Sequence, residues 1–311
     1  MIEKILLLAT ADAADTPSFV RAMALAEASG AGVELFDTVY EPLLEGYLGN
    51  ARVHEMYGPL RQRLVDESKE KLEALAARVR ERGIACTAEV VWSGQRHEAL
   101  ASRVVLDRAD LVVTALSDST HHLSHTDWKL VATCPAPLLI VRGDGKAAYR
   151  RVVAAVDPYH EHGKPAALDS AIVRQAKAFA NLGGGEVRIV HCFTPIGDFV
   201  ADDVGALPAE EAETALETAR QHALERLVEQ EDLPADSARL IAGRPETALQ
   251  SLADSGEADL FVLGVASRGR IREFFIGSTT ERLLRATGTD TLVIKPPDFK
   301  VSVTLEPSAA S

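Results

Sequence analysis

Short unbroken runs of Val, Leu, Ile and Ala alternate along this chain with longer stretches whose apolar residues recur at helical spacing. The runs Ile5–Ala9 and Val152–Val156 are continuously apolar and of strand length, Gly32–Phe36 and Glu186–Cys192 are strand-length segments rich in apolar residues, and together they predict strands covered on both faces. Ser18–Glu27, Gly58–Arg82, Ala166–Ala180 and Ala209–Glu229 carry the periodicity of helices, and the two long ones are charged and amphipathic. Strands alternating with helices in this way predict an α/β protein built on a doubly wound parallel sheet.

The pattern occurs twice. In the first half Gly94 and His97-Glu98-Ala-Leu100 precede Ala109-Asp110-Leu111; in the second, Gly243 and Glu246-Thr-Ala-Leu249 precede Ala258-Asp259-Leu260 at the same offset. Leu138–Arg142 matches Thr291–Lys295, and the opening strands match as well. The repeat therefore predicts two tandem α/β domains, 1–143 and 150–297. Gly143–Tyr149 between them has linker composition, and residues 298–311 read as a tail, unstructured at its tip.

Length and charge agree with this division. A chain of 311 residues fits two domains, and only 5% aromatic residues within 47% hydrophobic content fits cores of aliphatic side chains. A net charge of -13 repels phosphate backbones, which argues against nucleic acid and anionic membrane surfaces as partners. The three cysteines, Cys86, Cys134 and Cys192, are isolated, which suits a reducing compartment and small buried thiols. The apolar run at the start is too short for an export signal or a membrane span, so the chain reads as cytoplasmic.

Candidate chemistry lies mainly in the second half. Asp157 follows the first strand of that half, where a carboxylate can accept hydrogen bonds from a nucleoside's amino or hydroxyl groups. Further along, a strand ends at Gly264 and a loop carries Ser267 with Arg268, Arg270 and Arg272; Gly277, Ser278 and Thr279 then open a helix. Free N–H groups and hydroxyls at a helix start suit a polyphosphate.

This segment resembles the phosphate loop of the universal stress protein family: glycine, two residues, glycine, nine residues, glycine, then serine or threonine. Gly264 fills the first glycine, Ser267 stands at the second, and Gly277 with Ser278 completes the spacing. The resemblance implies that the second half binds ATP, with magnesium, through Asp157 on the adenine side and Gly264, Ser267, Gly277, Ser278 and Thr279 on the phosphate side. It further implies that the two halves pack as an intramolecular pseudo-dimer through their last strands, and it leaves a homodimer open. If the second glycine needs positive φ, serine there costs on the order of 1 kcal/mol, a roughly tenfold loss of affinity.

The first half departs from the pattern. Thr10 replaces the aspartate, Thr114-Ala115-Leu-Ser117 lacks glycine, and Ser124-His125-Thr126 aligns with Gly277-Ser278-Thr279. The stretch Thr126-Asp127-Trp128, followed by Cys134-Pro135-Ala-Pro137, is similar to the first domain of E-type tandem members of the family. Nucleotide binding is expected to be lost here.

Two function classes follow. The first is a nucleotide-binding stress protein that acts by conformation or partner binding. No Ser-His-Asp order, paired carboxylates or Walker loop is present, so turnover is at most slow ATP hydrolysis, and no residue stands out as the base. The second is a module in which the first half binds an apolar ligand or a metal. His121 and His125 lie four apart, a helical spacing suited to zinc, although a polar surface loop is the plainer reading. His160-Glu161-His162 is a weaker cluster of the same kind. Trp92 and Trp128, with Leu123 and Met56-Tyr57, either line an apolar cleft or, more plainly, pack in the core.

Overall fold

The computed structural model describes residues 2–10, 13–45, 51–116, 124–145, 148–159, 166–195, 209–265 and 278–300. The chain divides into two compact units. The first contains β1 (Lys4–Leu8), α1 (Pro17–Ser29), β2 (Gly32–Val39), the single turn α2 (Pro42–Glu45), α3 (Ala51–Glu81), β3 (Cys86–Trp92), α4 (Arg96–Asp107), β4 (Leu111–Ala115), α5 (His125–Thr133) and β5 (Leu138–Val141). The second contains β6 (Arg151–Ala155), α6 (Ala166–Gly183), β7 (Glu186–Phe193), α7 (Ala209–Gln230), β8 (Ala238–Ala242), α8 (Pro245–Asp254), β9 (Leu260–Gly264), α9 (Ser278–Ala286) and β10 (Asp290–Ile294).

Every pair of neighbouring strands within each unit is parallel, in the orders β3-β2-β1-β4-β5 and β8-β7-β6-β9-β10. The strand order reverses beside the first strand of each unit. Right-handed crossovers on either side of that reversal put helices on opposite faces. In the second unit this is visible directly. Val153, Val190, Phe261 and Leu263 pack with Leu249 and Leu252 of α8 and Leu283 of α9. On the other face, α6 presses Leu168 and Ile172 against Gly264, where a Cβ would come within 2.8 and 2.9 Å of their methyl carbons. Close helix-to-strand packing thus gives Gly264 a structural reason to lack a side chain.

Local chemistry fixes the element ends. Thr16 caps α1 by accepting the Phe19 N–H at 3.3 Å, Pro17 opens it, and Gly30 closes it at φ 75. The recurring Ala-Asp-Leu has a shared physical role. Asp110 accepts the N–H groups of Glu3 and Lys4 at 2.8 and 3.0 Å, and Asp259 accepts those of Arg150 and Arg151 at 3.0 and 2.9 Å. Each carboxylate ties the strand it precedes to the first strand of its own unit.

Two readings of the sequence need correction. Gly58-Pro59 looks like a helix start, but α3 already begins at Ala51 and carries Pro59 inside it. Proline removes one helical hydrogen bond without ending the element here. Tyr149 falls in the segment of linker composition, yet it is buried. Its hydroxyl donates to Asp290 at 2.6 Å, its ring lies 6.1 Å from that of Phe179, and Gly183 and Gly185 crowd its backbone. The tip of the tail lies outside the described residues.

Candidate functional site

The place where strand order reverses is where ligands enter sheets of this kind. In the second unit it lies between β6 and β9, whose register pairs Ala155 with Leu263. Asp157 and Val265 therefore leave the sheet from equivalent positions at its carboxyl end. Asp157 is buried, and its N–H donates to Asp169 Oδ1 of α6 at 3.1 Å. One residue earlier, the Val156 carbonyl contacts His191 Nδ1 at 3.0 Å. A carbonyl can only accept, so the histidine proton sits on Nδ1. Both contacts hold the backbone at the point where Asp157 presents its carboxylate.

Gly264 ends β9 as expected, and α9 starts at Ser278. Ser267, Gly277, Arg268, Arg270 and Arg272 lie outside the described residues, as do the side chains of Ser278 and Thr279. The third residue of α9, Thr280, is buried and uncharged.

The corresponding end of the first unit differs in charge. Thr10, at the position of Asp157, is exposed. At the start of α5, Ser124 Oγ accepts the Asp127 N–H at 3.1 Å, while Asp127 Oδ2 accepts the N–H and the hydroxyl of Ser124 at 3.0 and 2.8 Å. This is a complete capping box. Asp127 is buried and occupies the position of Thr280. The helix start that aligns with the start of α9 therefore already holds a carboxylate of its own.

Nearby, His97 is buried in the first turn of α4. Burial, with Lys129 and His125 adding to it, favours the neutral ring and holds it below the usual imidazole value, against the opposite pull of Glu98. His125 opens α5, whereas His121, Leu123 and the cluster His160-Glu161-His162 lie outside the described residues. Among the described residues no three His, Cys, Asp or Glu side chains are grouped to hold a metal. Neither tryptophan is a fully buried core residue. Trp92 and Trp128 are half-buried, and Trp92 lies under the Arg61 guanidinium at 5.0 Å and beside Tyr40 at 5.9 Å. Trp92, the last residue of the edge strand β3, cannot be enclosed as the middle of a sheet can.

Residues 148–295 match the model of the universal stress protein family. The second unit is a universal stress protein domain. Over 304 residues the chain is 24% identical to universal stress protein E of Escherichia coli K12, covering 94% of this chain and 93% of that one. Solved structures with the same fold include a functionally unknown protein from Pseudomonas aeruginosa PAO1, with a TM-score of 0.72 at 18% identity, covering 96% of this chain and 94% of that one. A universal stress protein from Archaeoglobus fulgidus DSM 4304 has a TM-score of 0.59 at 15% identity, covering 94% of this chain and 98% of that one. The chain is a tandem α/β protein, like universal stress protein E, with two domains of the universal stress protein fold.

Some residues at this end of the second unit's sheet carry no motif signal. Asp169 reads in sequence only as an acid in the first turn of a helix, and His191 as a polar break in an apolar strand. Their roles depend on contacts with the end of β6. All three cysteines are free and buried, and burial raises the Cys86 and Cys192 thiols to about 11 and about 12. Among the described residues no helix is long and apolar enough to cross a membrane.

Proposed function

We propose that this protein binds an adenine nucleotide, ATP with magnesium, in its second unit and acts in the cytoplasmic stress response through conformation or partner binding. Asp157 serves the adenine side, and Gly264, Ser267, Gly277, Ser278 and Thr279 serve the phosphate side. The observation that carries this reading is the position of Asp157, a buried carboxylate one strand away from the end of β9 at the strand-order reversal. The family match over residues 148–295 supports it. The first unit is the closed one: Thr10 offers no carboxylate, and the Asp127 carboxylate opposes a second anion at the start of α5. Cytoplasmic residence is supported by three free, buried thiols.

The test is direct. Released nucleotide from the denatured, purified protein is identified by chromatography and mass, and the stripped protein is titrated with Mg-ATP. Near one ATP per chain is expected, with binding lost in Asp157→Ala and Gly277→Val. Gly277→Val with native affinity removes the phosphate loop from the reading. No binding at millimolar ATP removes the nucleotide site altogether.

A further inference from the structure

Tyr159 stands two residues beyond Asp157 and is 39% exposed. Among the described residues of the second unit, no other large hydrophobic side chain is left exposed. The ring is held on one side. The Arg220 guanidinium of α7 lies 6.0 Å from its centroid and 4.5 Å from that of Phe193, the last residue of β7. Arg220 is itself buried, with Glu213 at 3.9 Å. Phe193, Arg220 and Tyr159 thus form a chain of stacked groups from the sheet to solvent, at the end where Asp157 leaves β6.

We propose that Tyr159 is the stacking residue for the nucleobase in the second unit, pre-positioned by Arg220. A base needs a flat aromatic face and a hydrogen-bonding partner at its edge, and Tyr159 and Asp157 supply both within three residues. The first half lacks the two together. The sequence there has Thr10 for Asp157 and, at the same spacing, Asp12 for Tyr159. The proposal rests on the reading of the second unit as a nucleotide site and adds what recognises the base, as distinct from the phosphates.

The experiment measures Mg-ATP and Mg-tripolyphosphate binding to the stripped full-length protein by titration and competition. Native protein, Tyr159→Ala and Tyr159→Phe are compared, with melting curves to confirm the fold. Tyr159→Ala is expected to weaken ATP roughly tenfold and to leave tripolyphosphate unchanged, while Tyr159→Phe keeps native ATP affinity. Three results overturn the proposal: unchanged ATP affinity in Tyr159→Ala, an equal loss for both ligands, or a native protein that binds tripolyphosphate as tightly as ATP. A native protein that takes up tripolyphosphate but no ATP also overturns it. One that binds neither ligand overturns the nucleotide site first, and the stacking role falls with it.

Discussion

The two units share a backbone plan and differ in where they keep their charges. Asp110 and Asp259 make the same pair of main-chain bonds at the start of each sheet. Equivalent positions on β2 and β7 carry opposite signs. Glu34 lies opposite Leu6, and Arg188 lies opposite Val153. Glu34 is fully buried between Lys4 at 3.0 Å and Arg103 at 2.5 Å. Arg188 is solvated and shares Glu257 with Arg239, at 3.1 and 2.9 Å. At the carboxyl ends the contrast is Thr10 and Asp127 against Asp157 and Thr280. The ties that join strand to strand recur, while the side chains around them diverge, because only the former are needed for the sheet to form.

The largest difference between the units is expected from breaking these ion pairs. Glu34→Ala removes the fully buried carboxylate between Lys4 and Arg103, leaves the two cations only Asp107 to share, and is expected to cost the first unit about 3 kcal/mol. Trp92 and Trp128 are the chain's two tryptophans, so denaturation followed by tryptophan fluorescence reads that unit alone. Glu257→Ala, on an exposed network, is expected to leave the second unit's melting temperature unchanged. Equal effects of the two substitutions count against the distinction.

The carboxylate contrast at the strand ends comes next. Asp157→Ala is expected to lower ATP affinity by roughly 10- to 100-fold, whereas Thr10→Ala leaves it as it was, both measured by titration of stripped protein. A loss in Thr10→Ala means that the first unit also contributes to binding.

The Asp259 tie at the start of the second unit's sheet is expected to respond to pH. Burial raises the Asp259 pKa, but the Arg151 guanidinium and the N–H groups of Arg150 and Arg151 outweigh it and hold the carboxyl below its ordinary value of 3.8. A depressed carboxylate stabilises the fold fully above the ordinary value, and that contribution is lost as pH falls through the lower, folded value. Asp259→Ala is therefore expected to cost about 2 kcal/mol at neutral pH and nothing in strong acid. Urea melts followed by circular dichroism across pH measure this, and a constant difference between native and variant contradicts it.

The smallest effect concerns the thiols. With Cys86 and Cys192 raised to about 11 and about 12 by burial, native protein is expected to resist maleimide at neutral pH and to react only when unfolded. Rapid labelling of Cys86 alone means that the first unit opens locally.

Much of the architecture was legible from periodicity. The strands of the repeat lie within a residue or two of the expected runs, except that β2 extends to Val39, because strands covered by helices on both faces are rich in apolar residues. The start of α3 was not legible, since Gly58-Pro59 signals a beginning wherever it occurs in isolation. Tyr149 was hidden in linker composition because its burial depends on Asp290 and Phe179, far along the chain. At the candidate site, Asp157 and Gly264 stood out by position after apolar runs. Asp169, His191, Tyr159 and Arg220 did not, since nothing in their local sequence says what they touch.

The order of residues by itself determined the elements and their repetition. Hydrophobic period and turn chemistry act over a few residues and need no distant partner. Only the tertiary structure decided that Asp127 fills the helix start of the first unit, that Gly264 yields its space to Leu168 and Ile172, and that Arg220 stands behind Tyr159. Those facts depend on which side chains a parallel sheet brings to the same end, and strands adjacent in space here pair residues as far apart in the chain as Val152 and Leu260.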